Sequence, residues 1–266
     1  MRKAVWLVAS CLGVLVLLVG MITTHPFAAP QGDLDKYGPN DRTRPEPPII
    51  TAGTASTQEQ AGRPPSDAII LFNGKDLSNW ESLKGEPAKW TVGDGYFQVA
   101  PGTGDIRTKD GYGDCQLHVE WASPNPPKGT DQDRGNSGVF LHSLYEIQVL
   151  DSYDNVTYAD GEAAAVYGQH PPLVNAARKP GEWQTYDIVF HEAHFDADGK
   201  VVQRANVTVF FNGVLVQDHV EMTGPTAHHA RPPYKPVGEK APLELQDHHH
   251  PVRYRNLWIR ELKSGQ

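Results

Sequence analysis

The chain has 266 residues and is acidic, with 24 Lys and Arg against 32 Asp and Glu for a formal net charge of −8. No basic stripe interleaved with aromatics runs along it, which speaks against nucleic acid as a partner. The two cysteines, Cys11 and Cys115, are too few for a disulfide framework.

Arg2 and Lys3 precede an apolar run from Ala4 to Ile22, with small residues at Ala28 and Ala29, so residues 1–29 read as an export signal with its cleavage region. At roughly 1.5 Å per residue the run also suffices to cross a bilayer, so the alternative is an uncleaved anchor, the one membrane attachment expected. Either way the protein is expected in the periplasm or outside the cell. Cys11 follows Val8, Ala9 and Ser10 in a lipobox-like order but sits inside the run, which argues against lipidation. Residues 30–66 hold seven of the 22 prolines and show no apolar periodicity, so a disordered tether is expected. Residues 67–266 are enough for one domain with a substantial core.

In that domain the apolar residues recur with period two. The alternating runs are Tyr96 to Ala100, Cys115 to Trp121, Gly138 to His142, Tyr145 to Leu150, Thr185 to His191, Ala205 to Phe211 and Arg255 to Leu262. Each reads as a strand. Asn73-Gly74, Asp94-Gly95, Asp110-Gly111, Asp198-Gly199 and Asn212-Gly213 supply turn chemistry between or beside them. "TVFFNGVLV" is the strongest hairpin, two apolar strands joined by a type I′ dipeptide. The expected class is all-β, a sandwich, jelly roll or barrel, and Cys115, alternating with Leu117 and Val119, is expected to pack as a small hydrophobe.

Two stretches carry a polar face. In "YEIQVLDS" Glu146 and Gln148 share one side of a strand and Tyr145, Ile147 and Val149 the other. Asp151 regains the Glu146 side only if a bulge near Val149-Leu150 shifts the register. In "LELQDHHHP" Glu244, Gln246 and His248 face one way, and Leu243, Leu245 and Asp247 the other. His142, at the end of "SGVFLH", would come beside the Tyr145 strand through a hairpin, Asn136 would fix the preceding turn or bind a ligand hydroxyl, and Glu120 and Trp121 end a strand where an indole could stack on a ligand ring or simply pack. Adjacent histidines at 248–250 point in opposite directions and no zinc spacing occurs. No cofactor is required by the sequence, and an oxygen-rich site for calcium or manganese is the metal alternative. A nucleotide-cradling loop and a Gly-x-Ser-x-Gly elbow are both lacking.

"LFNGKDLSNWE", "WTVGDGYF", "YGDCQLHVEW", "GNSGVFLHSLYEIQVLDS", "GEWQTYDIVFH", "FFNGVLV" and "LQDHHHPVRYRNLWIREL" occur in this order. Together they resemble the 3-keto-disaccharide (3-keto-glycoside) hydrolase family, over about Ala68 to Leu262. The resemblance implies a concanavalin A-like jelly-roll β-sandwich of two antiparallel sheets, with a sugar site on one sheet and cleavage of glycosides already oxidised at C3. Cys115 stands where a bulky aromatic is usual, and "HHH" where a Gly commonly follows the Asp-His pair. On this basis Glu146 or His248 is expected to be a base that removes the C2 proton, while Gln148, Gln246, Arg255 of the "YRN" element, or a cation polarises the ketone. The Glu-x-x-x-x-Asp spacing is also similar to the catalytic strand of concanavalin-like endo-β-glucanases, which makes a retaining glycosidase using Glu146 and Asp151, about 5 Å apart, one alternative. A non-catalytic carbohydrate-binding sandwich is the other.

Overall fold

The structure is a computed structural model that describes residues 36–262; the expected signal or anchor at 1–29 lies outside the described residues. Residues 36–44 belong to a separate unit, in which the Asp41 carboxylate accepts hydrogen bonds from the Thr43 amide and hydroxyl. Residues 45–262 lie in one compact body.

Its strands are β1 (Ile69–Ile70), β2 (Trp80–Ser82), β3 (Thr91–Gly93), β4 (Tyr96–Gln98), β5 (Ile106–Tyr112), β6 (Cys115–Ala122), β7 (Ser137–Leu141), β8 (Tyr145–Val149), β9 (Gln184–His191), β10 (His194–Phe195), β11 (Val201–Gln203), β12 (Asn206–Phe211), β13 (Val214–Glu221), β14 (Ala241–Leu245) and β15 (Arg253–Glu261). One sheet runs β13-β12-β9-β6-β15-β4-β3 with β1 added on β15, a second runs β2-β5-β14-β7-β8, and β10 and β11 form a separate hairpin. Every pairing is antiparallel. The expected all-β sandwich is what the chain builds.

Alternation explains the core. On β6 the side chains of Cys115, Leu117, Val119 and Trp121 are buried, and on β9 Tyr186, Ile188 and Phe190 join them. From the second sheet come Val139, Leu141, Tyr145, Ile147 and Val149. Cys115 is buried as a packing residue, and desolvation pushes its thiol far above the ordinary value. Asn212 and Gly213 both take positive φ, 52° and 81°, the type I′ geometry that joins β12 to β13.

β8 is an edge strand, yet all five of its residues are buried. The segment after it returns along the free edge: Gln148 N donates to Ala165 O, Ala164 N to Gln148 O and Tyr167 N to Glu146 O. This covers an edge that would otherwise be open to pairing with another chain.

One expectation fails. Residues 51–66 do not hang free: Ser56 donates to Glu120, Gln58 exchanges hydrogen bonds with the Trp183 backbone in both directions, and Arg255 reaches the carbonyls of Thr57 and Gln58. These are polar contacts at irregular spacing, so hydrophobic periodicity could not announce them.

Candidate active site

Glu146 and Gln148 point away from the core, on the outer face of the five-stranded sheet, because Tyr145, Ile147 and Val149 take the inward positions. The register places Glu81 opposite Arg107, Arg107 opposite Glu244, Glu244 opposite Phe140 and Phe140 opposite Glu146. One transverse row of outward side chains thus ends at Glu146. Gly138 sits in the neighbouring row, across from Gln148. A Cβ there would come within 2.4 Å of Glu146 Oε1 and 2.7 Å of the Phe140 ring, so glycine is what lets the carboxyl fold back over β7.

A cavity of about 580 Å³ opens above this row, lined by Glu146, Gln148, Asn136, Gln246 and His248. These are five of the residues singled out in the sequence, brought together from β8, the turn before β7 and the segment after β14. The Gln246 amide oxygen is buried without a hydrogen-bond partner, so it is an acceptor available to a ligand hydroxyl. One end of the Gln148 amide lies 3.0 Å from Glu146 Oε1 and 2.9 Å from the Ser137 carbonyl, and the other 2.9 Å from Gln132 Oε1. Two acceptors on the first side call for the NH₂ group there, which ties Gln148 to the Glu146 carboxylate.

Burial first, then the nearby charges of Asp105 and Glu244, push the Glu146 carboxyl up to about 8. Glu244 is raised to about 7, again chiefly by burial. His248 is shifted down by burial and by the His250 charge, and so is neutral at pH 7. The site therefore offers a carboxyl poised near neutrality, a neutral imidazole and a set of amides.

The rest of the cavity wall escaped the sequence. Asp131, Gln132, Phe140, Tyr158, Tyr167 and Thr226 also line it. The Thr226 hydroxyl accepts from the Glu146 amide, and the Tyr158 and Tyr167 hydroxyls meet at 2.6 Å. Apart from Phe140, these residues come from stretches without period-two alternation.

Five expected site residues do not line this cavity. Asp151 pairs with Arg134, Nε to Oδ2 at 2.9 Å; the β7–β8 ladder ends at Ser137 and Val149, the next residue, Leu150, is in the core like Val149, and Asp151 beyond it is held by the Arg134 side chain and carbonyl. His142 lies in the β7–β8 turn at φ 55°, which swings it against Phe190 and to 3.7 Å from Glu192. Trp121 is fully buried against Tyr186 and Phe211 and cannot meet a sugar. Glu120 and Arg255 pair at 2.7 Å on the outer face of the other sheet, under residues 56–58. Alternation told which residues shared a strand face but not which sheet the strand joined.

That second cluster is electrostatically strong. Burial works against ionising Glu120, but bonds from His118, Ser56, Asn256 and Arg255 outweigh it and hold the carboxyl at about 2. Burial likewise lowers His118, and its bonds to Asp187 and Glu120 outweigh that, holding it at about 9. His118, with its raised pKa, contributes stability fully below its unfolded value of 6.5, and this is lost as pH rises through 9. Glu146 and Glu244, also raised, bind protons more tightly in the folded state, so their ionisation costs stability as pH rises through about 7 to 8. The losses from Glu244 and Glu146 begin at 4.5 and are complete at about 7 and about 8, and that from His118 runs from 6.5 to about 9, so between pH 6.5 and 9 each of the three either lowers stability or no longer changes it. Thermal unfolding is expected to shift to lower temperature across that window, and the Glu146→Gln protein to show a shallower fall. A Tm that rises from pH 6.5 to 9 would contradict the assignment.

Among the described residues no group of three or more His, Cys, Asp or Glu is arranged to hold a metal ion. No helix among them is long and apolar enough to cross a membrane.

The profile of the 3-keto-alpha-glucoside-1,2-lyase-like domain matches residues 67–260. A candidate glycosyl hydrolase from Parabacteroides distasonis ATCC 8503, solved at 2.13 Å, is 44% identical and superposes with a TM-score of 0.78, covering 85% of this chain and 99% of that one. Two further candidate glycosyl hydrolases from the same organism, at 23% and 22% identity with TM-scores of 0.54 and 0.55, share the fold; they cover 74% and 73% of this chain and 94% and 99% of theirs. No curated protein matches the chain. With a match that spans most of its length and a relative of this identity, the chain belongs to the 3-keto-alpha-glucoside-1,2-lyase-like domain family and is a glycosyl hydrolase-like, carbohydrate-active protein.

Proposed function

We propose that the protein cleaves 3-keto-glycosides by elimination followed by hydration, with Glu146 as the base. A ketone at C3 acidifies the C2 proton. Glu146 takes that proton, the electron pair of the C–H bond passes onto the C3 carbonyl oxygen as an enolate, and collapse of the enolate forms a C1–C2 double bond while the C1–O bond breaks towards the aglycone. Water then adds at C1 and a proton returns to C2, giving the 3-keto sugar and the free aglycone. The Gln246 amide N–H and the N–H of the neutral His248 would donate to the ketone oxygen, the Gln246 amide oxygen would accept from a sugar hydroxyl, Gln148 would aim the carboxylate, and Asn136 would hold a ring hydroxyl.

The observation that supports this most is the Glu146 carboxyl itself, raised to about 8 in a cavity lined by amides. A general base works best with its pKa near the working pH. A glycosidase nucleophile must instead be ionised well below neutrality, and its expected partner Asp151 is engaged with Arg134. If a calcium or manganese ion at Gln246 and His248 did the polarising, chelation would abolish turnover and the ion would restore it. The apolar run at 4–22 supports export to the periplasm or beyond.

Purified protein should cleave the 3-keto form of a glycoside and leave the native form intact, with kcat/KM rising with pH towards a plateau above about 8 as Glu146 ionises. Cleavage of the native form would favour a conventional glycosidase. Binding without turnover of either would make this a binding module.

A further inference from the structure

A second cavity of about 480 Å³ adjoins the first and shares Tyr158, Tyr167, Ala227 and His228 with it. Its chemistry differs. Where the Glu146 cavity presents the amides of Gln132, Asn136, Gln148 and Gln246, this one has no amide side chain; its wall is made of tyrosine and histidine rings, two alanine methyls, Asp160 and Arg231. The two tyrosine hydroxyls bond to each other at 2.6 Å, with the rings edge-to-face at 6.2 Å. They thereby satisfy their own polar ends and leave ring surface to a ligand. His228 and His229 add a second pair of rings, centroids 3.9 Å apart. A sugar ring needs donors and acceptors around its rim to orient it, and they are concentrated in the first cavity.

We propose that the second cavity is the aglycone site and that it takes an aromatic aglycone, which makes the preferred substrate class 3-keto aryl glycosides. The inference rests on the elimination reading above. An aryl ring would lie against Tyr158, Tyr167 and the histidine pair, with its glycosidic oxygen at the junction of the two cavities and C1 and C2 of the sugar on the Glu146 side. The chemistry agrees with the shape. When the C1–O bond breaks, its electron pair leaves on the aryl oxygen as a phenolate, whose conjugate acid has a pKa of about 10, far less basic than a sugar alkoxide. Departure then needs no general acid in the second cavity; the phenolate takes its proton from water, and the Arg231 guanidinium favours the developing negative charge.

The test compares the 3-keto form of phenyl glucoside, in both anomers, with a 3-keto disaccharide of glucose, on wild-type protein and on the His229→Ala/Arg231→Ala double variant. Both residues are exposed, so the fold is not at stake. Wild-type kcat/KM is expected to be about tenfold higher for the better aryl anomer, the size of one or two good ring contacts. In the double variant that ratio is expected to fall about fivefold, mainly through KM. Equal or better cleavage of the disaccharide, or a ratio unmoved by the variant, would overturn the proposal. If neither ketone turns over, the elimination reading is what has failed, and calorimetric binding of unoxidised phenyl glucoside decides the aryl site: an affinity weakened about fivefold in the variant supports it, and no binding or an unchanged affinity overturns it.

Discussion

Glu146→Gln is expected to lower turnover of a 3-keto-glycoside about 10² to 10⁴-fold while KM moves little, which corresponds to roughly 3 to 5 kcal/mol of barrier. The amide keeps the volume of the side chain and its hydrogen-bonding reach, so the sugar should still seat. What it loses is the basic oxygen that must receive the C2 proton. The surroundings make this a clean substitution: Gly138 leaves room for the side-chain end and Gln148 lies 3.0 Å from Oε1. The carboxyl is also buried near Asp105 and Glu244, so neutralising it should not destabilise the fold. A folded Glu146→Gln protein with a near wild-type rate would move the base to His248, which lines the same cavity.

Glu120→Ala is expected to do the reverse, costing about 3 to 5 kcal/mol of stability while the folded protein keeps its turnover. Glu120 is fully buried and is the common acceptor for Arg255, Asn256, His118 and Ser56. Removing it leaves the Arg255 guanidinium under residues 56–58 without its carboxylate partner, held by the Thr57 and Gln58 carbonyls and the Trp183 ring, 4.3 Å away. Denaturant unfolding measures the cost and initial rates on the folded fraction measure the chemistry. A stable Glu120→Ala protein that had lost turnover would return Glu120 and Arg255 to the active site.

These two residues also show what the sequence could and could not tell. On β8 strict alternation was enough to put Ile147 and Val149 in the core and Glu146 and Gln148 outside, and the same parity on the segment from β14 put Gln246 and His248 on the cavity side. Glu120 and Arg255 obey alternation just as well, yet their strands belong to the other sheet, and sheet membership depends on pairings between residues more than a hundred positions apart. Asp151 lies past the end of the β7–β8 ladder, where alternation no longer applies, and is claimed by Arg134. His142 was redirected by a positive-φ turn, which a histidine does not advertise as a glycine would. Tyr158, Tyr167 and Thr226 reach the cavity from loops, where no period exists to read. The segment 51–66 docks through side-chain and backbone polar groups, so its lack of apolar residues, read as freedom, was not a guide.

The central claim is that bond cleavage passes through removal of the C2 proton, and turnover in deuterium oxide tests it most directly. A 3-keto-glycoside is incubated with the enzyme in D₂O, the reaction is quenched at low conversion, and the released 3-keto sugar is examined by NMR and mass spectrometry beside a sample of the same sugar held in D₂O without enzyme. Elimination and hydration return a solvent proton to C2, so the product is expected to carry deuterium at that carbon beyond the enzyme-free sample. Product formed at a normal rate with its original hydrogen still on C2 would contradict the mechanism, because direct displacement at C1 leaves that bond untouched.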